Sequence, residues 1–175
     1  MGEHTSKASS FIDYVITRSK IDKKFSSEIR RSSNPAFEVG GWETLARFNV
    51  DLNFKHTRRA YLIVASAAVT SKVDSDGNVG LGKAIALSYA DKQNDDQAKA
   101  RLLRLLSCDS LEDVNGVIRP LLTFVQSRKV KNLNYTKILQ QLTSFQFDPE
   151  KVKAQWATDF YSYDKQASGV SADES

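Results

Sequence analysis

Basic side chains that stand beside apolar helical segments are the residues of this sequence most suited to chemistry with a ligand. Lys and Arg side chains held on rigid elements bind phosphate groups, and such contacts set affinity and register without any catalytic step. A single basic residue is usually a solvated surface residue, so the pattern matters only if several members share one surface. The sequence predicts a phosphate-binding groove built from Arg30, Arg31, Lys55, Arg58, Arg59, Lys83, Arg101, Arg104 and Arg119.

The distribution of charge indicates a polyanionic partner more clearly than the total charge does. The formal net charge is +4 at pH 7. From Asp164 onward three acidic residues stand against one basic residue, so the rest of the chain carries 24 basic and 18 acidic residues. This excess is modest, and many proteins without a nucleic-acid partner carry as much. Two classes therefore remain open: a nucleic-acid-binding subunit, and a helical adaptor that binds only other proteins.

A glycine-containing segment from Gly77 to Lys83 follows the pattern G-x-x-x-x-G-K of a nucleotide-binding loop. The position that should carry a hydroxyl group for Mg²⁺ is Ala84, and the residues before the segment are typical of a turn, not of a buried strand. We therefore predict a turn that leads into a helix, with no nucleotide cofactor. Lys83 stays a candidate contact to a backbone phosphate.

Residue types for metal binding or catalysis are scarce. The turn that begins at Asp74 resembles a calcium loop, but its twelfth position is Ile85, where a bidentate Glu is needed. Two histidines, His4 and His56, and one cysteine, Cys108, are too few for a zinc site. We predict no metal, no cofactor and no catalytic residue, so the protein is not expected to be an enzyme. Cys108 is interpreted as a buried structural thiol.

The hydropathy of the chain argues against contact with a membrane. The longest apolar run, Ala60 to Val69, is too short for a bilayer span, which needs about 18 apolar residues or more. Met1 to Ser10 lacks the apolar core of a signal peptide. We therefore expect a soluble, cytoplasmic protein.

The elements that must position the basic residues are predicted to be helices. Apolar residues recur at helical spacing through the chain, and no β-type alternation is present. Ser110 with Asp113 has the layout of a capping box, and Pro149 stands at a first-turn position after Asp148. A helix is also predicted from Leu81 to Ala90, ended by the polar cluster at residues 94–96. The predicted fold class is all-α.

The clearest turn, Asp74 to Gly80, divides the predicted helices into two groups. We predict two packed helical bundles, an N-terminal one at residues 1–73 and a C-terminal one at residues 81–163. The small and polar residues 164–175 are predicted to form a mobile tail.

The order of these features resembles the CasB family, the small subunit of the type I-E CRISPR surveillance complex Cascade. The resemblance extends from about Phe11 to Tyr161, and Lys83 stands where an Arg would be equally expected. Each motif is weak by itself, but their order and spacing agree with the family. The segments that carry the resemblance are Ser27–Pro35, Lys55–Ile63, Gly80–Leu87, Ala100–Leu106, Val117–Leu122 and Tyr135–Phe160.

The resemblance implies an all-helical, non-catalytic protein of two packed bundles. It also implies that two copies lie side by side in Cascade, next to the subunits that hold the guide RNA. Their positively charged surface would stabilise the duplex of guide RNA and target DNA and the displaced non-target strand. Base pairing reads the sequence in such complexes while protein holds the backbone. The expected partners are therefore guide RNA, both DNA strands, other Cascade subunits and a second copy of this chain.

Overall fold

The fold was analysed in a computed structural model that describes residues 7–162. Within this range the backbone forms nine α-helices and two 3-10 helices, and Val79 and Leu133 form an isolated bridge in place of a β-strand. The prediction of an all-α fold is confirmed. The α-helices are α1 Lys7–Ile21, α2 Lys23–Arg31, α3 Trp42–Arg47, α4 Lys55–Thr70, α5 Leu81–Leu87, α6 Asp96–Leu106, α7 Leu111–Ser127, α8 Tyr135–Phe145 and α9 Pro149–Tyr161. The 3-10 helices are Pro35–Gly41 and Lys92–Asn94.

The helix starts follow the local signals of the sequence. Ser110 Oγ accepts a hydrogen bond from the Asp113 backbone N–H at 3.1 Å, and the Asp113 carboxylate accepts one from the Ser110 backbone N–H at 3.2 Å. This is the predicted capping box, and Asp148 caps α9 through the Lys151 N–H as predicted. The predicted end of α5 was wrong, because α5 stops at Leu87 and Asp95 instead caps the start of α6.

Replacing Ser110 with Ala is expected to lower the free energy of unfolding by about 1 kcal/mol, because the Asp113 backbone N–H loses its acceptor and the Asp113 carboxylate loses the hydroxyl donor. Donation from the Ser110 hydroxyl group holds the pKa of Asp113 below its ordinary value. The difference between wild type and variant should therefore shrink as the pH falls through this lowered pKa. Urea denaturation at neutral and acidic pH measures both effects. Ser144→Ala, at an exposed position in α8, is the matched control and should change stability little.

Helices α4 and α7 run parallel and in step with each other. Asn115 Nδ2 donates to the His56 carbonyl at 2.9 Å, and Gln126 Nε2 donates to the Ala67 carbonyl at 2.8 Å. The two partners are 59 residues apart in both bonds. An equal offset at both ends is possible only if the helices point the same way without a shift in register.

One continuous apolar cluster holds the two halves of the chain together. Every residue of α4 from Ala60 to Val69 is buried, and α4 packs against α1, α2, α7 and α8. The apolar core therefore does not divide at the turn of residues 74–80. The division into an N-terminal bundle at residues 1–73 and a C-terminal bundle at residues 81–163 stays a prediction. The predicted tail, 164–175, lies outside the described residues.

Helix α5 begins at a close approach to α9, and this explains its glycines. A Cβ atom on Gly82 would lie 2.1 Å from the Trp156 carbonyl oxygen and 2.7 Å from the Phe160 nitrogen. A Cβ atom on Gly80 would lie 2.4 Å from Asp159 Oδ2. The glycines of this segment therefore allow the backbone and side chains of α9 to pack closely against the start of α5.

Candidate nucleic-acid interface

The end of α2 presents two of the predicted residues, and a side chain of α4 holds that end in place. Arg30 and Arg31 are the last residues of α2 and are exposed. Ser66 Oγ, on α4, donates to the Arg30 carbonyl at 2.7 Å. The guanidinium carbon of Arg31 lies 5.5 Å from the centre of the Phe37 ring, which supports the side chain while leaving it accessible.

Helical geometry places Arg59 and Arg119 on one side of the α4–α7 pair. Arg59 follows His56 by three residues and Arg119 follows Asn115 by four, and His56 and Asn115 join the two helices. Because the helices are parallel and in step, these offsets turn both side chains to the same side of the contact. Ser66 lies on that side of α4 too, so the end of α2 borders it. We define the α4–α7 face as Arg30, Arg31, Lys55, Arg59 and Arg119.

The residues of this face differ in exposure and have one acidic neighbour. Lys55 and Arg119 are exposed, whereas Arg59 is half-buried on the first turns of α4. His56 Nε2 lies 3.7 Å from Glu112 Oε2, so Glu112 stands beside the basic side chains. The α4–α7 face is therefore positively charged with a negative border on the α7 side.

Arg58 is not on the α4–α7 face, although the sequence predicts it as a phosphate contact. Its Nε donates to the Glu38 carboxylate, its Nη1 donates to the Leu52 carbonyl, and its guanidinium carbon lies 4.7 Å from the centre of the Trp42 ring. Only 14% of its side chain and 9% of the Glu38 side chain are exposed. Arg58 thus joins the 3-10 helix to α4, and we leave it out of the interface.

A second basic cluster lies on the far side of α7. Arg101 Nε donates to the Tyr89 hydroxyl at 2.5 Å, and the Arg101 guanidinium carbon lies 3.6 Å from the centre of the Phe124 ring. Phe124 comes nine residues after Asn115, half a helical rotation away from α4. Arg104, one turn further along α6, is exposed. Arg101 and Arg104 therefore lie on a different surface from the α4–α7 face, so the predicted residues do not all line one groove.

Lys83 lies at the start of α5, where the structure leaves no room for a nucleotide. The Lys83 backbone N–H donates to Asp159 Oδ2 at 2.9 Å, so a carboxylate of α9 occupies the place of a bound phosphate. The Lys83 side chain is half-buried. Its contact to a backbone phosphate stays a prediction.

The calcium-like turn and the cysteine lie in structural positions. Asp76 accepts hydrogen bonds from the Tyr135 N–H at 2.7 Å and the Thr136 N–H at 3.0 Å, so the calcium-like turn caps α8. Residues 7–162 contain no group of three or more His, Cys, Asp or Glu side chains placed to hold a metal ion. Cys108 is buried, as predicted, and burial raises the pKa of its thiol.

Sequence reasoning missed the aromatic side of the second cluster. Phe124 and Tyr89 pack with ring centres 5.6 Å apart, and the guanidinium carbon of Arg128 lies 5.1 Å from the centre of the Phe124 ring. The signal available in the sequence was Arg128 four residues after Phe124, a spacing at which side chains of one helix meet. Tyr89 offered no such signal, because it comes from a different part of the chain.

ATP with Mg²⁺ is expected to leave the melting temperature unchanged, and no hydrolysis should be detected. Binding to the folded state alone would raise the melting temperature through linkage. The Asp159 carboxylate repels phosphate at the start of α5, so ATP binding at this position is expected to be unfavourable. Differential scanning fluorimetry with and without ATP measures the shift. A reproducible ATP-dependent rise would contradict the non-enzyme interpretation.

The structure is that of an all-α protein whose helices carry exposed arginines on two surfaces. Residues 26–161 match the family model of CRISPR-associated protein Cse2, and the chain therefore belongs to that family. No curated protein sequence matches the chain. Within residues 7–162 no helix combines the length and apolar content of a membrane span.

The solved structures that share the fold include two CRISPR-associated proteins. One is the crystal structure of CasB from M. ruber, with a TM-score of 0.76 and 21% sequence identity over 95% of this chain and 98% of that chain. The other is a Cse2-family CRISPR-associated protein from Thermus thermophilus, with a TM-score of 0.68 and 21% identity over 88% and 97% of the two chains. At this identity the likeness concerns the fold alone.

Proposed function

We propose that the protein is a non-catalytic, nucleic-acid-binding small subunit of a type I-E CRISPR Cascade complex in the cytoplasm. It stabilises the duplex of guide RNA and target DNA and the displaced non-target strand. Its partners are these strands, the other Cascade subunits and a second copy of itself. Family membership supports the role in CRISPR defence, and the basic surfaces support the contact with nucleic acid.

The α4–α7 face is the observation that carries the proposal. Its basic side chains stand on helices whose backbones are fixed by Ser66, Asn115 and Gln126. Rigid placement lowers the entropy lost when a strand binds. Arg59 and Arg119 lie on one side of two different helices, with Arg30 at the end of α2 that borders it, and such an arrangement can follow a phosphate backbone over several nucleotides.

Backbone contacts account for the expected lack of sequence preference. A protein reads bases by placing a helix or strand in a groove with side chains that fit the base edges. Both α4 and α7 are packed into the body of the protein along one side, so neither can enter a groove. In an RNA-guided complex base pairing reads the sequence, and the protein needs only to hold the strands.

The proposal is tested by measuring the affinity for single-stranded and duplex DNA at several salt concentrations. The logarithm of affinity should fall linearly with the logarithm of salt concentration, by about 0.7 to 0.9 for each phosphate neutralised. Oligonucleotides of different sequence should bind equally well. Binding that ignores salt, or a strong preference for one sequence, would count against the proposal.

A helical adaptor that binds only proteins is the second candidate, and an apolar groove favours it. Phe54 and Phe147 are 64% and 82% exposed and line a groove of about 510 Å³ between the starts of α1 and α4 and the end of α8. Exposed aromatic side chains of this kind commonly contact partner proteins. The salt series separates the two candidates, because an adaptor shows no salt-dependent affinity for DNA.

A further inference from the structure

The second basic cluster contains two arginines directed at the same aromatic pair. The guanidinium carbons of Arg101 and Arg128 lie 3.6 Å and 5.1 Å from the centre of the Phe124 ring. Arg128 also lies 6.0 Å from the centre of the Tyr89 ring. The two guanidinium carbons can be no further apart than the sum of their distances to the centre of the Phe124 ring, so both stand beside this one ring.

Within the part of the chain that the structure describes, Arg101 and Arg128 have no acidic partner. Among residues 7–162, no carboxylate lies within 4.0 Å of Arg101 or Arg128 in an ion pair. Two like charges held close together without an acid repel each other. The π-faces of the rings offset this repulsion only in part. An anion placed between the guanidinium groups would remove it.

The cluster is also rigid enough to bind without rearrangement. The Tyr89 hydroxyl fixes Arg101 Nε at 2.5 Å, and Phe124 supports the flat face of the guanidinium group. Phe124, on α7, is half-buried and packs against the Tyr89 ring. Tyr89 and Phe124 are therefore positioning residues that prepare the two guanidinium groups for one ligand.

We propose that Arg101 and Arg128 bind a single phosphodiester group of a single-stranded nucleic acid. This inference rests on the proposed function and specifies a binding site within it. The planar guanidinium group matches the oxygens of a phosphate better than a lysine ammonium does, and two such groups can share one phosphate. Tyr89 is partly exposed beside the arginines, so a neighbouring base can pack against its ring, which favours an unpaired strand.

The test is a set of neutral replacements assayed with a fluorescein-labelled oligothymidylate by anisotropy. Arg101→Gln and Arg128→Gln should each weaken binding about tenfold, as expected for a charged hydrogen bond. The double variant should be only slightly weaker than either single one, because one ligand group is lost in each case. Its salt slope should fall by about 0.7, the value for one phosphate on a single strand.

A charge-matched control separates this site from diffuse attraction. Lys129→Gln with Lys131→Gln removes the same charge from the adjacent loop, where both residues are exposed. Its two effects should be small and additive, less than about threefold each. Tyr89→Phe keeps charge and ring but removes the hydroxyl that fixes Arg101. It should weaken binding about threefold, with an unchanged melting temperature.

The outcomes distinguish the inference from the proposed function. If the wild-type protein shows no salt-dependent binding of the oligonucleotide, both are overturned. If it binds but the arginine pair behaves like the lysine pair, with additive effects, only the two-arginine site is overturned. Displacement of the oligonucleotide by millimolar inorganic phosphate would identify a small-anion site and overturn the assignment to a strand. Resistance to inorganic phosphate supports it.

Discussion

Charge reversal at Arg59 and Arg119 together should reduce affinity for single-stranded DNA by about a hundredfold or more, because two phosphate contacts are lost and two repulsive charges are added. The two residues come from α4 and α7 and flank the same side of their contact. A strand that crosses this side meets both of them. Gel-shift or anisotropy measurements at low salt, where the wild type binds most tightly, show the effect at its largest.

The control for this variant reverses the same number of positive charges on another surface. Lys23→Glu with Lys151→Glu changes two exposed lysines in the first turns of α2 and α9, where an acidic residue suits the helix dipole. It should keep most of the wild-type affinity, and both variants should keep the helical circular-dichroism signal. Equal loss of affinity in the two variants would show that only the net charge matters. Wild-type affinity in the Arg59 and Arg119 variant would favour the protein-binding adaptor.

Gly82→Ala should destabilise the protein by about 3 kcal/mol, the upper end of the range for overpacked sites. The new methyl group would lie 2.1 Å from the Trp156 carbonyl oxygen, which belongs to the backbone and cannot rotate away. Either α9 moves outward or α5 shifts along it, and both open the contact around Trp156, whose side chain is fully buried. The midpoint of urea denaturation measures the loss.

Gly116→Ala is the matched control for Gly82→Ala. Nothing lies within 4 Å of a Cβ atom at Gly116, in the middle of α7. The same methyl group should therefore stabilise the protein by up to about 1 kcal/mol, because Ala has the higher helix propensity. Opposite signs for one chemical change would show that the contact with α9, and not the loss of glycine, sets the result. Equal effects would contradict the close approach of α5 and α9.

Local patterns predicted the fold class and the starts of α5, α7 and α9, because caps and apolar spacing act within a few residues. Ser110 with Asp113 and Asp148 with Pro149 were readable for this reason. The same reasoning placed the end of α5 too late, since Asp95 serves equally well as the end of one helix or the cap of the next. Its role depends on where α6 packs.

The candidate site was predicted residue by residue but not as a surface. Arg58 looked like its neighbour Arg59, yet Glu38, which comes 20 residues earlier, binds it. Which arginines share a side depends on the parallel pairing of α4 and α7, whose contacts join residues 59 positions apart. No local spacing encodes such a pairing. The resemblance to the CasB family did not give this pairing either; it predicted the family of the chain, which the match of residues 26–161 to the Cse2 family model confirms.

The bond from Lys83 to Asp159 has a consequence for the order in which the chain folds during synthesis. Helix α5 has seven residues, too few to be stable in water by itself. The carboxylate that binds its first turn comes from a residue made 76 positions later, in the last helix. During synthesis α5 is therefore expected to stay unstable until α9 has been made. A chain that terminates before Asp159 would leave the interior of the C-terminal half exposed to chaperones and proteases.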